Sequence, residues 1–187
     1  MKDQELPEEN IETAPEEQEA SAAELTNDGA ESSSLQQFLT FAVDKEEYGI
    51  DLLRIREIKG WTETTRLPNS PNFMKGVINL RGAVIPIFDL KGRFQMGESN
   101  PTEKHVVIIV AVEERLIGIL VDSVSDIVEV GEEQIKPAPQ METKIDDEFV
   151  NGLISLSEKM VVLLDVDSLF DLESMKIIGN NSAAETE

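Results

Sequence analysis

Residues 76–94 recur, degraded but without a gap, as residues 152–170 at a constant offset of 76. Gly76 meets Gly152, Ile78 meets Ile154, Leu80 meets Leu156, Asp89 meets Asp165 and Phe94 meets Phe170. A second gapless match at offset 69 lays residues 38–58 on 107–127, pairing Ala42 and Val43 with Ala111 and Val112, Gly49 and Ile50 with Gly118 and Ile119, and Ile58 with Ile127. Pro68 and Pro137 keep that offset, which puts the seven extra residues of the second copy between Pro137 and Phe149. The body of the chain is therefore one supersecondary unit used twice, and whatever fold it adopts must carry two equivalent halves.

Composition sets the limits of that body. The first 34 residues hold eleven carboxylates against a single Lys2, in a background of Ala, Ser, Pro and Gln. Such a stretch buries too little apolar surface to offset the entropy of ordering, so residues 1–34 read as a disordered acidic arm. Residues 171–187 read as a C-terminal tail of similar character. The remaining body, 35–170, is long enough to bury roughly two thirds of its unfolded surface. With a formal net charge of −22 for the whole chain, nucleic acid and direct insertion into an anionic membrane are excluded as expected partners, since both call for clustered Lys and Arg. No cysteine occurs, which fits a reducing cytoplasm and removes disulfides and thiolate metal ligands. The longest uncharged apolar run, residues 106–112, is far short of the ~20 residues of a spanning helix. The N-terminus lacks the apolar core of a signal peptide, so a cytoplasmic location is expected.

The body reads as strand-rich. Apolar runs flank charged or glycine-bearing turns four times, around Asp44-Lys45-Glu46, Arg81-Gly82, Glu113-Glu114-Arg115 and Ser157-Glu158-Lys159, the pattern of hairpins. β-branched residues and short spacing between turns predict small barrels, about five strands to each copy of the unit. Pro86 lacks a ladder donor, which places its strand at an edge or bulge. Residues 51–57 and 89–94 allow a helical turn. The expected division is a first subdomain over about 35–100 and a second over about 101–170, with terminal segments exchanging between the barrels.

A search for chemistry finds none. The single histidine, His105, heads a strongly apolar strand and reads as a strand-end surface residue. With neither cysteine nor a second histidine, a transition-metal site of the usual kind has no donor set. Residues 92–99 imitate a phosphate loop, but Glu98 stands where the phosphate-binding lysine belongs. Asp165 and Asp167 open like a calcium loop, yet Phe170 occupies the sixth position, where a glycine turn is needed. Acidic pairs such as Asp146-Asp147 read as solvated loop carboxylates. No catalytic residue, metal or cofactor is expected.

The pattern from Glu46-Glu47-Tyr48-Gly49-Ile50-Asp51 through Arg56-Glu57-Ile58 to Asn79-Leu80-Arg81-Gly82, with Gly118 to Ile127 and Lys136-Pro137-Ala138-Pro139 in the second half, resembles the CheW family of bacterial chemotaxis adaptors. The resemblance covers residues 35–170. It implies a mainly β fold of two pseudo-symmetric, five-stranded Src-homology-3-like barrels with a few short helices, and no catalysis. It also implies a cytoplasmic role at membrane-associated chemoreceptor arrays. There the protein would couple the cytoplasmic tips of chemoreceptors to the regulatory domain of the histidine kinase CheA, and other adaptor copies would join it in rings. By resemblance, Ile55, Glu57, Gly76, Arg81 and Ile127 form the receptor groove. The strand holding Ile85, Pro86, Ile87 and Phe88 is the expected kinase dock, with the pseudo-equivalent surface near Val161 to Leu164 available for a weaker contact.

Residue chemistry points the same way. Leu52, Ile55 and Ile58 fall on one face, and Val121, Val124 and Ile127 occupy the equivalent positions, so two related apolar faces either line a cleft or belong to the core. Arg81 either bridges to Glu57 or donates its planar guanidinium to a partner carboxylate or backbone carbonyl. Two other readings stay open in the sequence: a regulatory paralogue or fragment of CheA, and a small β-barrel ligand-binding protein.

Overall fold

A computed structural model describes residues 35–138, 145, 147–156 and 159–170. The acidic arm, the C-terminal tail and the turn at Ser157-Glu158 lie outside the described residues. Ten strands follow one another as β1 (Gln36–Val43), β2 (Glu46–Asp51), β3 (Ile55–Gly60), β4 (Met74–Leu80), β5 (Ala83–Asp89), β6 (Val106–Val112), β7 (Arg115–Val121), β8 (Ser123–Val130), β9 (Val150–Leu156) and β10 (Lys159–Leu164). One-turn helices α1 (Leu90–Arg93) and α2 (Val166–Leu169) follow β5 and β10. Of the helical turn allowed at 51–57, only Leu52–Arg54 is helical, a 3-10 turn capped by Asp51, whose Oδ1 accepts from the Leu53 N–H at 2.8 Å. The hairpin turns bend where the sequence signals them. Asp44 and Glu113 take φ of 59° and 51°, and Arg81 and Gly82 take 52° and 94°, the φ pair of a type I′ turn.

Two five-stranded sheets result, ordered β8-β1-β2-β10-β9 and β3-β6-β7-β5-β4. Each strand of the first copy maps onto the strand five places later, and the second sheet is then the first with the copies exchanged. Each sheet therefore takes two strands from one copy and three from the other. A boundary near residue 100 separates the copies but not the sheets. The chain changes sheet after β2, through the 3-10 turn, and after β7, through Asp122 alone.

Each sheet is closed by the segment that leaves its edge strand. Past β3 the chain bends so that Thr65 pairs with Val77 of β4, exchanging hydrogen bonds of 2.9 and 2.8 Å. Past β8, Lys136 pairs with Leu153 of β9 at 2.9 and 2.7 Å. The edges at β3 and β4, and at β8 and β9, are thereby joined. Val77 and Leu153 keep the offset of 76, but Thr65 and Lys136 differ by 136 − 65 = 71. The insertion thus begins before Pro137, where the 3-10 turn Glu132–Gln134 stands.

Gly76 and Gly152 make these closures possible. Gly76 has φ +132°, and a Cβ on it would lie 2.4 Å from the Thr65 carbonyl oxygen; a Cβ on Gly152 (φ +159°) would lie 2.9 Å from that of Lys136. The closing backbone runs directly over each glycine, in a φ region that side chains avoid.

The apolar residues divide into three clusters. Ile78, Ile85, Ile87, Val107, Ile109 and Leu120 fill the second barrel, and Phe38, Val130, Ile154, Val161 and Leu163 fill the first. Ile78 and Ile154, Ile85 and Val161, and Ile87 and Leu163 keep the offset of 76. The third cluster lies between the barrels and is the largest, nineteen buried residues among those described, including Phe41, Tyr48, Ile108, Val110, Phe94 and Phe170. Strand β6 explains its own composition: Val107 and Ile109 enter the barrel while Ile108, Val110 and Val112 enter the shared core. Burial on both faces produces a continuous apolar run rather than alternation. The guanidinium of Arg93 spans the two copies, 4.4 Å from the Phe149 ring and 5.4 Å from that of Phe73, and its Nε donates to the Leu169 carbonyl at 3.1 Å.

Pro86 sits, as its missing N–H requires, at a local edge. Strand β5 is interior to its sheet, between β4 and β7. It pairs with β7 only over Ile87, Phe88 and Asp89, so at Pro86 the missing N–H faces no ladder and the strand is locally an edge.

Gly76→Ala and Gly152→Ala should each cost about 2 kcal/mol or more, from positive φ plus backbone overpacking. Gly60→Ala, with open space around its Cβ, should change stability by less than about 0.5 kcal/mol. Denaturant unfolding of the three variants checks this.

The shared core also holds the single tyrosine. The ring of Tyr48 lies 6.2 Å from that of Phe41 and 5.3 Å from that of Phe94. Burial, followed by the negative charges of Glu46 and Asp44, pushes its phenol up to about 12. The unfolded phenol ionises near 10, so between those values the unfolded state releases a proton that the folded state keeps. Stability should fall as pH rises from about 10 to 12, with tyrosinate absorbance at 295 nm appearing together with the loss of β-sheet circular dichroism.

Candidate partner-binding surfaces

The edge strand β3 carries Ile55 and Glu57, and the β4–β5 turn carries Arg81. Because β3 and β4 are the joined edges of the second barrel, the turn comes back to β3. Arg81 Nη2 meets Glu57 Oε2 at 3.0 Å, with the guanidinium largely in solvent. Arg81 thus bridges to Glu57 and still offers donors outward. A bulge in the β3–β6 pairing between Ile55 and Glu57 turns Ile55 toward the shared core.

Ile127 lies on β8, the edge of the first barrel, 51% exposed; its equivalent on β3, Ile58, is 44% exposed. The apolar faces read from the sequence are therefore split. Leu52, Ile55 and Val124 pack half-buried against the shared core and Val121 is inside it, whereas Ile58 and Ile127 face solvent. Gly76 is buried under Thr65, and its conformation serves barrel closure.

The expected kinase dock is corrected more sharply. Ile85, Ile87 and Phe88 are buried, Ile87 completely, because β5 is an interior strand with both faces covered. Ile87 points into the barrel and Phe88 into the shared core, Ile85 reaches the surface only at the base of a groove, and Pro86 is half-buried. What the strand does expose is its start. Val84 is 67% exposed, and where β5 parts from β7 a groove of about 380 Å³ opens. Ile85 and Ile117 lie at its base, Val84, Pro86 and Leu116 along its sides, and Arg115 at its rim. The sequence signal for it was Pro86 itself, which ends the β5–β7 ladder.

The polar groups inside the body are structural. Asp89 is fully buried, with Oδ2 accepting from Ser99 N–H at 2.8 Å and facing Lys75 Nζ at 3.1 Å, and Oδ1 accepting from Ser99 Oγ at 2.7 Å. These bonds pin the connection between α1 and β6. The equivalent Asp165 instead caps α2, accepting from the N–H groups of Asp167 and Ser168 at 2.9 and 3.2 Å. His105 Nε2 faces Asp122 Oδ1 at 3.5 Å, and its Nδ1 accepts from the Thr102 N–H at 3.1 Å. Among the described residues no group of three His, Cys, Asp or Glu side chains is placed to hold a metal. Among them no helix is long and apolar enough to cross a membrane.

A profile of the CheW-like domain matches residues 37–174. The chain belongs to the CheW family. Chemotaxis protein CheW of Klebsiella aerogenes is 42% identical over 145 residues, 78% of this chain and 87% of that protein. Chemotaxis protein CheW of Rhizobium meliloti is 39% identical over 152 residues, 81% of this chain and 94% of that protein. The crystal structure of the scaffolding protein TtCheW from Thermoanaerobacter tengcongensis superposes with a TM-score of 0.68 at 33% identity, covering 73% of this chain and 88% of that one. The two closed five-stranded sheets are thus the CheW-like fold, and the family is one of scaffolds and adaptors.

An ion pair as exposed as Arg81–Glu57 contributes at most about 1 kcal/mol. Arg81→Ala and Glu57→Lys should therefore each lower stability by less than about 1 kcal/mol in urea titrations, leaving folded proteins for binding work.

Proposed function

We propose that the protein is a non-catalytic chemotaxis adaptor that couples transmembrane chemoreceptors to the regulatory domain of the histidine kinase CheA, in the cytoplasm and within receptor arrays. One observation carries this reading beyond family membership: the exposed apolar positions recur at the repeat offsets. Ile58 and Ile127 differ by 69, and Val84 and Met160 by 76, and all four are well exposed. Solvent-facing apolar residues kept at equivalent places in two barrels mark surfaces that partners cover. The buried charged cluster, by contrast, serves only to hold a loop.

The β3 edge with Ile55, Glu57 and Arg81, together with Ile127 on β8, is the receptor surface. Arg81 is oriented by Glu57 and keeps donors free for a helix carboxylate or carbonyl. The groove beside Val84 is the kinase dock; it keeps Ile85 and Pro86 and leaves out the buried Ile87 and Phe88. A barrel-type partner can cover an apolar rim of this kind edge to edge. Two different contacts on one adaptor are heterologous, so they can propagate around rings that include further adaptor copies.

Pull-downs with receptor cytoplasmic fragments and with CheA test the assignment. Arg81→Ala and Glu57→Lys should weaken receptor binding about tenfold or more while kinase binding persists, with charge reversal at Glu57 the stronger effect. Val84→Glu should do the reverse. Loss of kinase binding alone in the Arg81 and Glu57 variants would show that the surfaces are interchanged.

A further inference from the structure

The edge strands β3 and β8 present the same backbone to solvent with different charges. Ile58 lies opposite Ile108 on β6 and Ile127 opposite Leu39 on β1, and both of those partners are buried in the shared core. Cross-strand neighbours share a face of the sheet. The two exposed isoleucines therefore stand on the inter-barrel faces of β3 and β8, at the open rim of that core. Each strand also carries a β-bulge before its isoleucine, with Arg56 the extra residue in β3 and Ser125 in β8. The bulges keep the repeat offset (125 − 56 = 69). A bulge takes its extra residue off the ladder and re-aims side chains, and both residues are exposed.

The residues around the two isoleucines differ. Arg56 Nη1 donates to the Leu53 carbonyl at 3.1 Å, which braces the side chain and leaves its remaining donors unused among the described residues. The equivalent Ser125 is uncharged and spends its hydroxyl on Glu47 Oε2 at 3.0 Å. Two residues past the isoleucine the balance reverses. Gly60 ends β3 with open space around its Cβ position, whereas its equivalent (129 − 60 = 69) is the exposed Glu129, held by Gln37 Nε2. Among the described residues neither Arg56 nor Glu129 forms an ion pair. Glu57 is matched by Arg81, while its equivalent Asp126 accepts only from the Ile127 N–H. The rim is thus basic along β3 and acidic along β8.

Pseudo-symmetry gives this difference its weight. A helix lying across Ile58 and Ile127 has, for every pose, a second pose in which the barrels exchange roles, and neither the backbone nor the isoleucines tell the two apart. We propose that Arg56 and Glu129 are the residues that select between them. The rim takes an amphipathic receptor helix whose apolar stripe covers both isoleucines, with a carboxylate toward Arg56 and a Lys or Arg toward Glu129. The exchanged pose sets like charges together and is rejected by repulsion. A doubled frame thereby seats its helix in one direction. The inference rests on β3 and β8 forming the receptor surface, and it names the helix chemistry which that surface reads.

Titration calorimetry of the full-length protein with a chemoreceptor cytoplasmic fragment tests it. Arg56→Glu and Glu129→Lys should each weaken binding about tenfold or more, whereas Arg56→Lys and Glu129→Asp should stay within about threefold of wild type. Direction is read separately. The chain has no cysteine, so Thr62→Cys places a single spin label just past the end of β3, and a second label goes on one or the other end of the bound receptor helix. In the wild type one end should lie near. In a barrel-exchanged variant carrying Arg56→Ser, Ser125→Arg, Gly60→Glu and Glu129→Gln, the opposite end should lie near. Should that variant fail to fold, the two charge reversals decide alone. Wild-type affinity in both reversals, or the same end near in the exchanged variant, overturns the inference while the receptor surface stands. No binding by the wild type overturns the receptor surface, and the inference with it.

Discussion

The apolar layer between the two barrels is the interaction on which the rest of the molecule depends. Each barrel interior, with five or six buried residues, is too small a core to support an independent fold. The shared layer is more than three times larger, and both copies supply its aromatic centre. Phe88 lies 5.3 Å from Phe170, and Tyr48 lies 5.3 Å from Phe94. Exchange of strands between the copies makes the layer compulsory. Since β1 and β2 complete the sheet of the other copy's β8, β9 and β10, neither copy can close a barrel without the other.

Symmetry of backbone combined with asymmetry of side chains turns this architecture into a connector. The tip of each first hairpin is held by the helix after the fifth strand, but with charges rearranged. Asp44 receives Lys91 Nζ at 2.9 Å, whereas the Glu113 N–H donates to Asp167, which itself pairs with Arg54. Asp89 clamps a loop where Asp165 caps a helix. Val84 borders an open groove where Met160 borders an ion pair. A duplicated unit starts with two identical surfaces, and each such substitution makes one of them different. Binding specificity arises here by divergence on a conserved frame rather than by new elements.

Several features are legible in one dimension because they depend on local chemistry. The hairpin turns announce themselves by glycine or charged pairs between β-branched runs. The doubling follows from the offsets, and the lack of thiolate metal ligands follows from the absence of cysteine. The partner surfaces are legible only in part. Arg81 and Glu57 can be paired on charge alone. Ile85, Ile87 and Phe88, however, look like an exposed apolar strand when read along the chain, and only the barrel interior over Ile85 and Ile87 and the shared core over Phe88 bury them. Gly76 reads equally well as a contact point or as a backbone necessity, until the Thr65 carbonyl is found over it.

What the sequence alone determined is the unit, its duplication and its strand-rich character, all of which rest on patterns a few residues long. What the tertiary structure decided is which strands share a sheet, which apolar residues face solvent, and where the grooves open. Strand exchange is invisible to the offsets, because swapping equivalent strands between equivalent barrels leaves every local pattern unchanged. It is settled by long-range pairing: β3 pairs with β6 and β8 with β1, contacts between segments far apart in the chain that no local pattern specifies.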